Sequence, residues 1–185
     1  MKKVNLKFFV QSYYKGNGTM ESVKFNQDGI SPADEVEEVK VGIWAGATLV
    51  EEKTGMLKID GNVTVQTEVS GGNNYVSVVG KNSLRVYTPV ALDFGNDDVD
   101  YDFTIAAEQA AGANQIEVES GVFALYSGDV NQDGVIDDAD EVIIKFAAEN
   151  SQYGIAVCDL NGDGVVDNSD TDNFWNNKGK AVILP

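Results

Sequence analysis

Twelve residues at 129–140, DVNQDGVIDDAD, return thirty positions later at 159–170 as DLNGDGVVDNSD. Each copy places an oxygen-bearing side chain at loop positions 1, 3, 5 and 12: Asp129, Asn131, Asp133 and Asp140, then Asp159, Asn161, Asp163 and Asp170. Glycine at position 6, Gly134 and Gly164, allows the sharp turn through which alternate side chains converge on one point. A chain with this spacing is constrained to wrap a hard cation. Calcium takes about six to eight oxygens in a flexible geometry, so two calcium ions are expected, one per loop. The carbonyls of Val135 and Val165 are expected at position 7, and Asp137 and Asp167 at position 9 through water.

The charge balance agrees with that reading. Asp and Glu number 30 against 13 Lys and Arg, a net charge of −17. Nucleic acid and anionic membranes both select clustered basic charge, so neither is an expected partner. Part of the acidity is local: Asp129, Asp133, Asp137, Asp138 and Asp140, with Asp159, Asp163, Asp167 and Asp170, repel one another unless a cation offsets them. The chain has no histidine and one cysteine, Cys158. An intrachain disulfide and imidazole-based metal or catalytic sites are therefore outside its chemistry, and Cys158 is expected to be a small buried apolar residue. No stretch approaches the roughly 18 apolar residues of a membrane span, so membrane insertion is not expected.

Two regions differ in pattern. Residues 1–127 alternate apolar and polar in VNLKFFVQ (4–11), VEEVKVGIWA (36–45), NVTVQTEV (62–69), NYVSVVG (74–80), SLRVYTPV (83–90), VDYDFTIA (99–106) and IEVESGVFALYS (116–127). Turn clusters such as Gly16-Asn17-Gly18, Asp60-Gly61 and Gly71-Gly72 separate them, which predicts a mainly β, antiparallel two-sheet sandwich. The stretch 106–115 is read as a helical turn or two, or a crossing between sheets. In residues 128–185 a helix of about three turns is expected after Asp140, with Val142, Ile143, Phe146 and Ala147 on one face and Glu141, Lys145 and Glu149 on the other. A shorter helix should follow Asp170 and end near Gly179.

The loops depart from the EF-hand pattern in two ways. Position 12 is aspartate, one methylene shorter than the usual glutamate, and neither loop has room for an ordinary incoming helix: SGVFALYSG before Asp129 alternates like a strand, and NSQYGIAVC before Asp159 is interrupted by Gly154. Each unit is loop-then-helix. In these features residues 128–179 resemble the dockerin type I family. The resemblance implies a small α-helical pair of calcium loop-helix units that docks onto a cohesin domain and anchors enzymes in extracellular complexes that degrade polysaccharides. It also implies partner contacts at loop positions 10 and 11, here Asp138 and Ala139 in one copy and Asn168 and Ser169 in the other. The family commonly has Ser or Thr there, and only the second pair is close.

Upstream, VNLKFFVQSYYKGNGTM, NYVSVVGKNSLRVYTP and GVFALYSGDVNQDG together resemble a β-domain-plus-dockerin arrangement found in secreted proteins of Bacteroidetes-type bacteria. That resemblance implies a transthyretin-like or immunoglobulin-like sandwich and an extracellular or cell-surface location. In MKKVNLKFFVQSYY the apolar run is broken by Lys7 and no small-residue cleavage site follows, so this segment is not read as a signal peptide. The chain is expected to be the exported part of a longer protein. No catalytic residue is expected, and the chain is read as a non-catalytic interaction module. Two alternatives stand beside it: a purely structural role for calcium, with the loop pair packed on the sandwich, and glycan binding by the sandwich. In the latter, Tyr13, Tyr14, Trp44, Tyr75 and Tyr87 either pack within the sheets or stack on sugar.

Overall fold

Alternating apolar residues need a second apolar surface to bury against, and two sheets supply it to each other. The computed structural model describes residues 1–95, 97–150 and 157–185. Along the chain run β1 (Lys2–Lys7), β2 (Tyr14–Gly16), β3 (Thr19–Met20), helix α1 (Val23–Asp28), the long strands β4 (Glu35–Ala45) and β5 (Thr48–Lys58), then β6 (Asn62–Thr67), β7 (Asn73–Val79), β8 (Val86–Tyr87), β9 (Leu92–Asp93) and β10 (Val99–Asp102). The hairpin β11 (Ile116–Glu119) and β12 (Val122–Ala124) follows, and helices α2 (Asp138–Glu149) and α3 (Thr171–Asn177) complete the chain. One sheet has the order β10-β1-β6, and the other β5-β4-β7-β8 with β9 beside β7. Val4, Leu6, Val63, Val65 and Val99 of the first face Val39, Val41, Ile43, Leu57, Val76 and Val78 of the second in one buried core. This is the expected mainly β sandwich.

Most pairings are antiparallel, but β1 and β10 run parallel, with Val4 opposite Val99 and Leu6 opposite Tyr101. The sense follows from the path: the chain leaves the first sheet after β6, passes through β7 to β9 in the second, and returns to the free edge of β1. Strand β5 carries no clear alternation in sequence, and its polar run EEKTG gives no core signal. It forms because β4 offers it ten register partners, and its one glycine lies where β6 comes closest. A Cβ on Gly55 would sit 2.6 Å from Val63 and 2.8 Å from Val65. Helix α1 is the other element that strand alternation hid. The stretch 106–115 is two 3-10 turns, Ala107–Gln109 and Ala111–Ala113, and in SLRVYTPV only Val86–Tyr87 is strand.

A second core joins the sandwich to the C-terminal units. Val130, Ile136, Ile144, Ala147, Cys158, Leu160, Val166 and Phe174 pack together with Leu84 and Tyr126, which belong to the β region. Cys158 is buried there, as expected. The two helices lie where the sequence places them, but the face of α2 differs. Ile144 and Ala147 point inward, whereas Val142, Ile143 and Phe146 are exposed. The inward face is set by Asp140, which is fully buried, so residues one turn on at 144 and 147 follow it. Residues 151–156, including the Gly154 interruption ahead of the second loop, lie outside the described residues. Among the described residues no helix is long and apolar enough to cross a membrane.

The tight approach at Gly55 gives a direct check. Gly55→Ala is expected to cost about 1–3 kcal/mol, the usual range for overpacking. Urea unfolding should show a lower midpoint with an unchanged slope.

Candidate metal centre

Both loops fold on one plan, and the plan is made by backbone N–H groups seeking oxygen. In the first, Asn131 Oδ1 accepts from Asp133 N–H at 2.9 Å, and Asp133 Oδ1 from Val135 N–H at 3.0 Å. In the second, Asn161 Oδ1 accepts from Asp163 N–H at 3.0 Å, and Asp163 Oδ1 from Val165 N–H at 2.9 Å. Gly134 and Gly164 both have φ +92°, a conformation that glycine adopts without strain. Their N–H groups donate to the first aspartate of each loop, Asp129 at 3.2 Å and Asp159 at 3.1 Å.

Position 12 closes the loop from the following helix. Asp140 Oδ1 accepts from the N–H groups of Val130 (2.8 Å) and Asn131 (3.1 Å), and its Oδ2 from Asp137 (3.0 Å). Asp170 repeats this with Leu160 (2.7 Å), Asn161 (3.1 Å) and Asp167 (2.8 Å). A carboxylate has about four lone-pair directions, so three bonds leave one, on Oδ2. The shorter aspartate therefore ties the loop to its helix and has a single direction left for an ion. Position 9 has a second role that the spacing did not announce. Asp137 Oδ1 accepts from Ala139 N–H and Asp167 Oδ1 from Ser169 N–H, so each caps the helical turn that follows and completes a capping box. The Ser169 bonds hold the Asp167 carboxyl below its ordinary range.

The inward carboxylates are in an unfavourable state for bare charge. Asp129 is 2% exposed and Asp140, Asp159 and Asp170 are fully buried. Burial, with the nearby charge of Asp140, pushes Asp129 up to about 6. Burial likewise raises Asp170 to about 6 and Asp159 above its usual value. Asp129 Oδ1 is buried with no hydrogen-bond partner among the described residues. No three Cys, Asp or Glu side chains close into a metal cage among them either; the loop oxygens are engaged with the loop's own N–H groups. The donor set of carboxylate, amide and carbonyl oxygens, the orphaned Asp129 oxygen and the shared burial fit a hard cation. Residues 129, 131, 133, 135, 137 and 140, and their counterparts 159, 161, 163, 165, 167 and 170, are brought together as two separate loops.

The residues at positions 10 and 11 face the other way. Asp138, Ala139, Asn168 and Ser169 are all exposed. Asp138 pairs with Lys178, and Ser169 Oγ lies 2.9 Å from Asn161 Nδ2. Phe146 (62% exposed) and Trp175 (50%) are also exposed on α2 and α3, and a cleft between these helices is lined by Lys145, Ala148, Asn168, Thr171 and Trp175.

Several contacts to the loops were not legible in sequence. The C-terminal segment pairs with the first loop: Ile136 N–H donates to Lys180 O, Gly179 N–H to Ile136 O and Val182 N–H to Gly134 O. Helix α1 meets the second, where Gln27 Nε2 donates to Asp159 Oδ2 at 2.6 Å and Asn26 Nδ2 to Gly162 O at 2.8 Å. Only Ser22 and Gly29 flanking VKFNQD hinted at that helix. Of the five aromatics, Tyr13 is fully buried and Tyr14 bonds Glu119, while Trp44, Tyr75 and Tyr87 line a cleft of about 320 Å³.

Residues 127–174 match the dockerin type I domain family, and this segment is a dockerin type I-like module. Two solved structures resemble the whole chain: a C-terminal interface mutant and an N-terminal interface mutant of the type II cohesin-X-dockerin complex from Acetivibrio cellulolyticus. Each is 15% identical, with TM-scores of 0.56 and 0.57, covering 98% of this chain and 97% of the other. The likeness is one of fold. No curated protein matches the chain.

Protons and a cation compete for the same oxygens, which fixes a pH dependence. Asp129 and Asp170 have folded values raised to about 6. Without metal, their contribution to stability is present below the unfolded value near 3.8 and is lost as pH rises through about 6. A bound cation needs the ionised forms, so the gain in melting temperature from added calcium is expected to be largest above pH 7 and to shrink through pH 6. Calorimetry with calcium and with chelator across that range checks it.

Proposed function

We propose that the chain is a non-catalytic, calcium-dependent interaction module of an extracellular or cell-surface protein. In this reading residues 1–127 form the β domain and residues 128–185 the docking module, which binds a cohesin-like domain and anchors a polysaccharide-degrading assembly. One observation carries the reading: in the segment that matches the dockerin type I domain, the carboxylates at loop positions 1 and 12 are buried while Asp138, Ala139, Asn168 and Ser169 all stand in solvent. Calcium, when bound, supplies the positive charge that the clustered carboxylates lack. Asp129, Asn131, Asp133, Val135 and Asp140, and Asp159, Asn161, Asp163, Val165 and Asp170, would hold the two ions, with Asp137 and Asp167 reaching them through water. The chain's own part is orientation. Asp140 and Asp170 fix the start of each helix against its loop, so that positions 10 and 11, in the first turn of each helical segment, stand outward, and Phe146 and Trp175 are exposed further along the helices.

The neighbouring structures support the partner class. Their complexes hold a cohesin together with an X-dockerin, and the likeness extends over 97% of the compared chain in each. The structural role for calcium describes the opposite side of the same module, where α1 and the C-terminal segment grip the loops. At calcium about 100 times the dissociation constant, each site would add about 2.7 kcal/mol. A glycan reading rests on the cleft lined by Trp44, Tyr75 and Tyr87.

Surface plasmon resonance against a panel of cohesin domains tests the reading. At least one is expected to bind in calcium and to dissociate in chelator. Ser169→Arg and Phe146→Ala should each weaken that binding about tenfold or more, the scale of an interface anchor, with an unchanged melting temperature. If no cohesin in the panel binds with calcium present, the anchoring function is wrong.

A further inference from the structure

The two loops share a plan but not a support. Among the described residues the Asp129 carboxylate receives a bond from Gly134 N–H at 3.2 Å and the weaker influence of the Gln132 N–H, and its Oδ1 has no partner within hydrogen-bond distance. Asp159 receives four. Gly162 and Asp163 N–H donate to Oδ1 at 2.8 and 3.2 Å, Gly164 N–H to Oδ2 at 3.1 Å, and the fourth comes from the β domain, Gln27 Nε2 to Oδ2 at 2.6 Å.

Gln27 is itself held. Lys81 Nζ lies 3.0 Å from Gln27 Oε1, and an ammonium only donates, so the amide must present its oxygen to Lys81 and its NH₂ to Asp159. Neighbouring contacts fix the distance between the elements. Asn26 Nδ2 donates to Gly162 O at 2.8 Å, and a Cβ on Gly164 would stand 2.5 Å from Asn26 O, so α1 lies directly on the loop backbone. No side chain donates to Asp129 in the corresponding place among the described residues. Its loop is supported instead through backbone pairing with residues 179–182 and through Gln132, whose Nε2 donates to the Asp129 carbonyl at 2.9 Å and to Ser83 O of the β region at 3.3 Å, neither reaching the carboxylate.

We infer that Gln27, oriented by Lys81, is a positioning residue for the second calcium site, so that the β domain tunes the affinity of that site through its first carboxylate, a contact the first loop lacks among the described residues. The inference rests on the calcium reading above. Hydrogen bonds that orient a metal ligand from behind are worth about 10–100-fold in affinity, because a ligand free to turn must be ordered when the ion arrives. Gly164 N–H and Gln27 Nε2 fill the two directions of Oδ2 and fix the carboxylate there, so Oδ1, whose two donors are the loop's own Gly162 and Asp163 N–H groups, is the oxygen that would turn to the ion as those bonds open.

The full chain, labelled with nitrogen-15, provides the test. The amides of Gly134 and Gly164 each donate to the first carboxylate of their own loop, so their resonances report the two sites separately during a calcium titration. Gln27→Leu is expected to raise the calcium midpoint at Gly164 about tenfold or more while leaving that at Gly134 in place. Asn26→Ala, which frees the loop at Gly162, should move Gly164 in the same direction by less. Equal displacement of both midpoints would mean general loosening, and no displacement at Gly164 would mean that Gln27 positions nothing; either result overturns the inference. A normal response at both glycines that ignores Gln27→Leu leaves the calcium reading standing. No response at either glycine in the unaltered chain removes both.

Discussion

Burying a carboxylate is costly unless hydrogen bonds or a cation compensate it, and the C-terminal module is organised around two of its fully buried aspartates, Asp140 and Asp170. Each gathers three N–H groups from loop positions 2, 3 and 9. Those bonds turn twelve residues back on themselves and fasten the result to the first turn of a helix. The helix in turn places Ile144 or Phe174 in the second core. Replace either aspartate with an apolar residue and three N–H groups lose their acceptor at once, so loop, helix and core depend on one side chain.

The same economy explains how the loop pair is joined to the sandwich without a flexible linker. Gly128 N–H donates to Asn82 O, and Asn177, fully buried on α3, donates to Ser127 O and to Gln11 Oε1. Leu84 and Tyr126 then enter the second core from the β side. Buried polar groups on one partner are met by polar groups on the other, so separating the two halves would expose apolar surface and strand hydrogen-bonding groups together.

Loop chemistry was legible because it lies in spacing. Positions 1, 3, 5, 6 and 12 are short-range instructions that a sequence states in full, and their backbone bonds repeat between copies to within a few tenths of an ångström. The sandwich was legible wherever one face was buried and the other wet, as in β1 and β6. It was not where a strand's reason for forming is its neighbour: β5 reads as polar and depends on β4 and on the clearance at Gly55. The α2 face was misjudged for a related reason. Val142, Ile143 and Phe146 form an apolar stripe, but a buried carboxylate, which hydropathy counts as polar, decides which side turns inward. Gln27 and Asp159 lie 132 residues apart and could be connected only by the fold.

These features assign different work to the two sides of the C-terminal module. One side is committed: α1 lies on the second loop through the side chains of Asn26 and Gln27, and residues 179–182 lie on the first through backbone hydrogen bonds. The other side carries positions 10 and 11, and the same helices expose the apolar Phe146 and Trp175. The pseudo-repeat would suggest two equivalent ways of meeting a partner, but the outward residues are not equivalent. Asp138 is engaged by Lys178 and followed by Ala139, whereas the second copy has an amide, Asn168, and a hydroxyl, Ser169, that accepts from Asn161 Nδ2. A partner that recognises hydrogen-bonding side chains at one end and tolerates a negative charge at the other would meet this surface in a single orientation. The asymmetry inside the loops, one carboxylate held by the β domain and the other not, runs along the same axis.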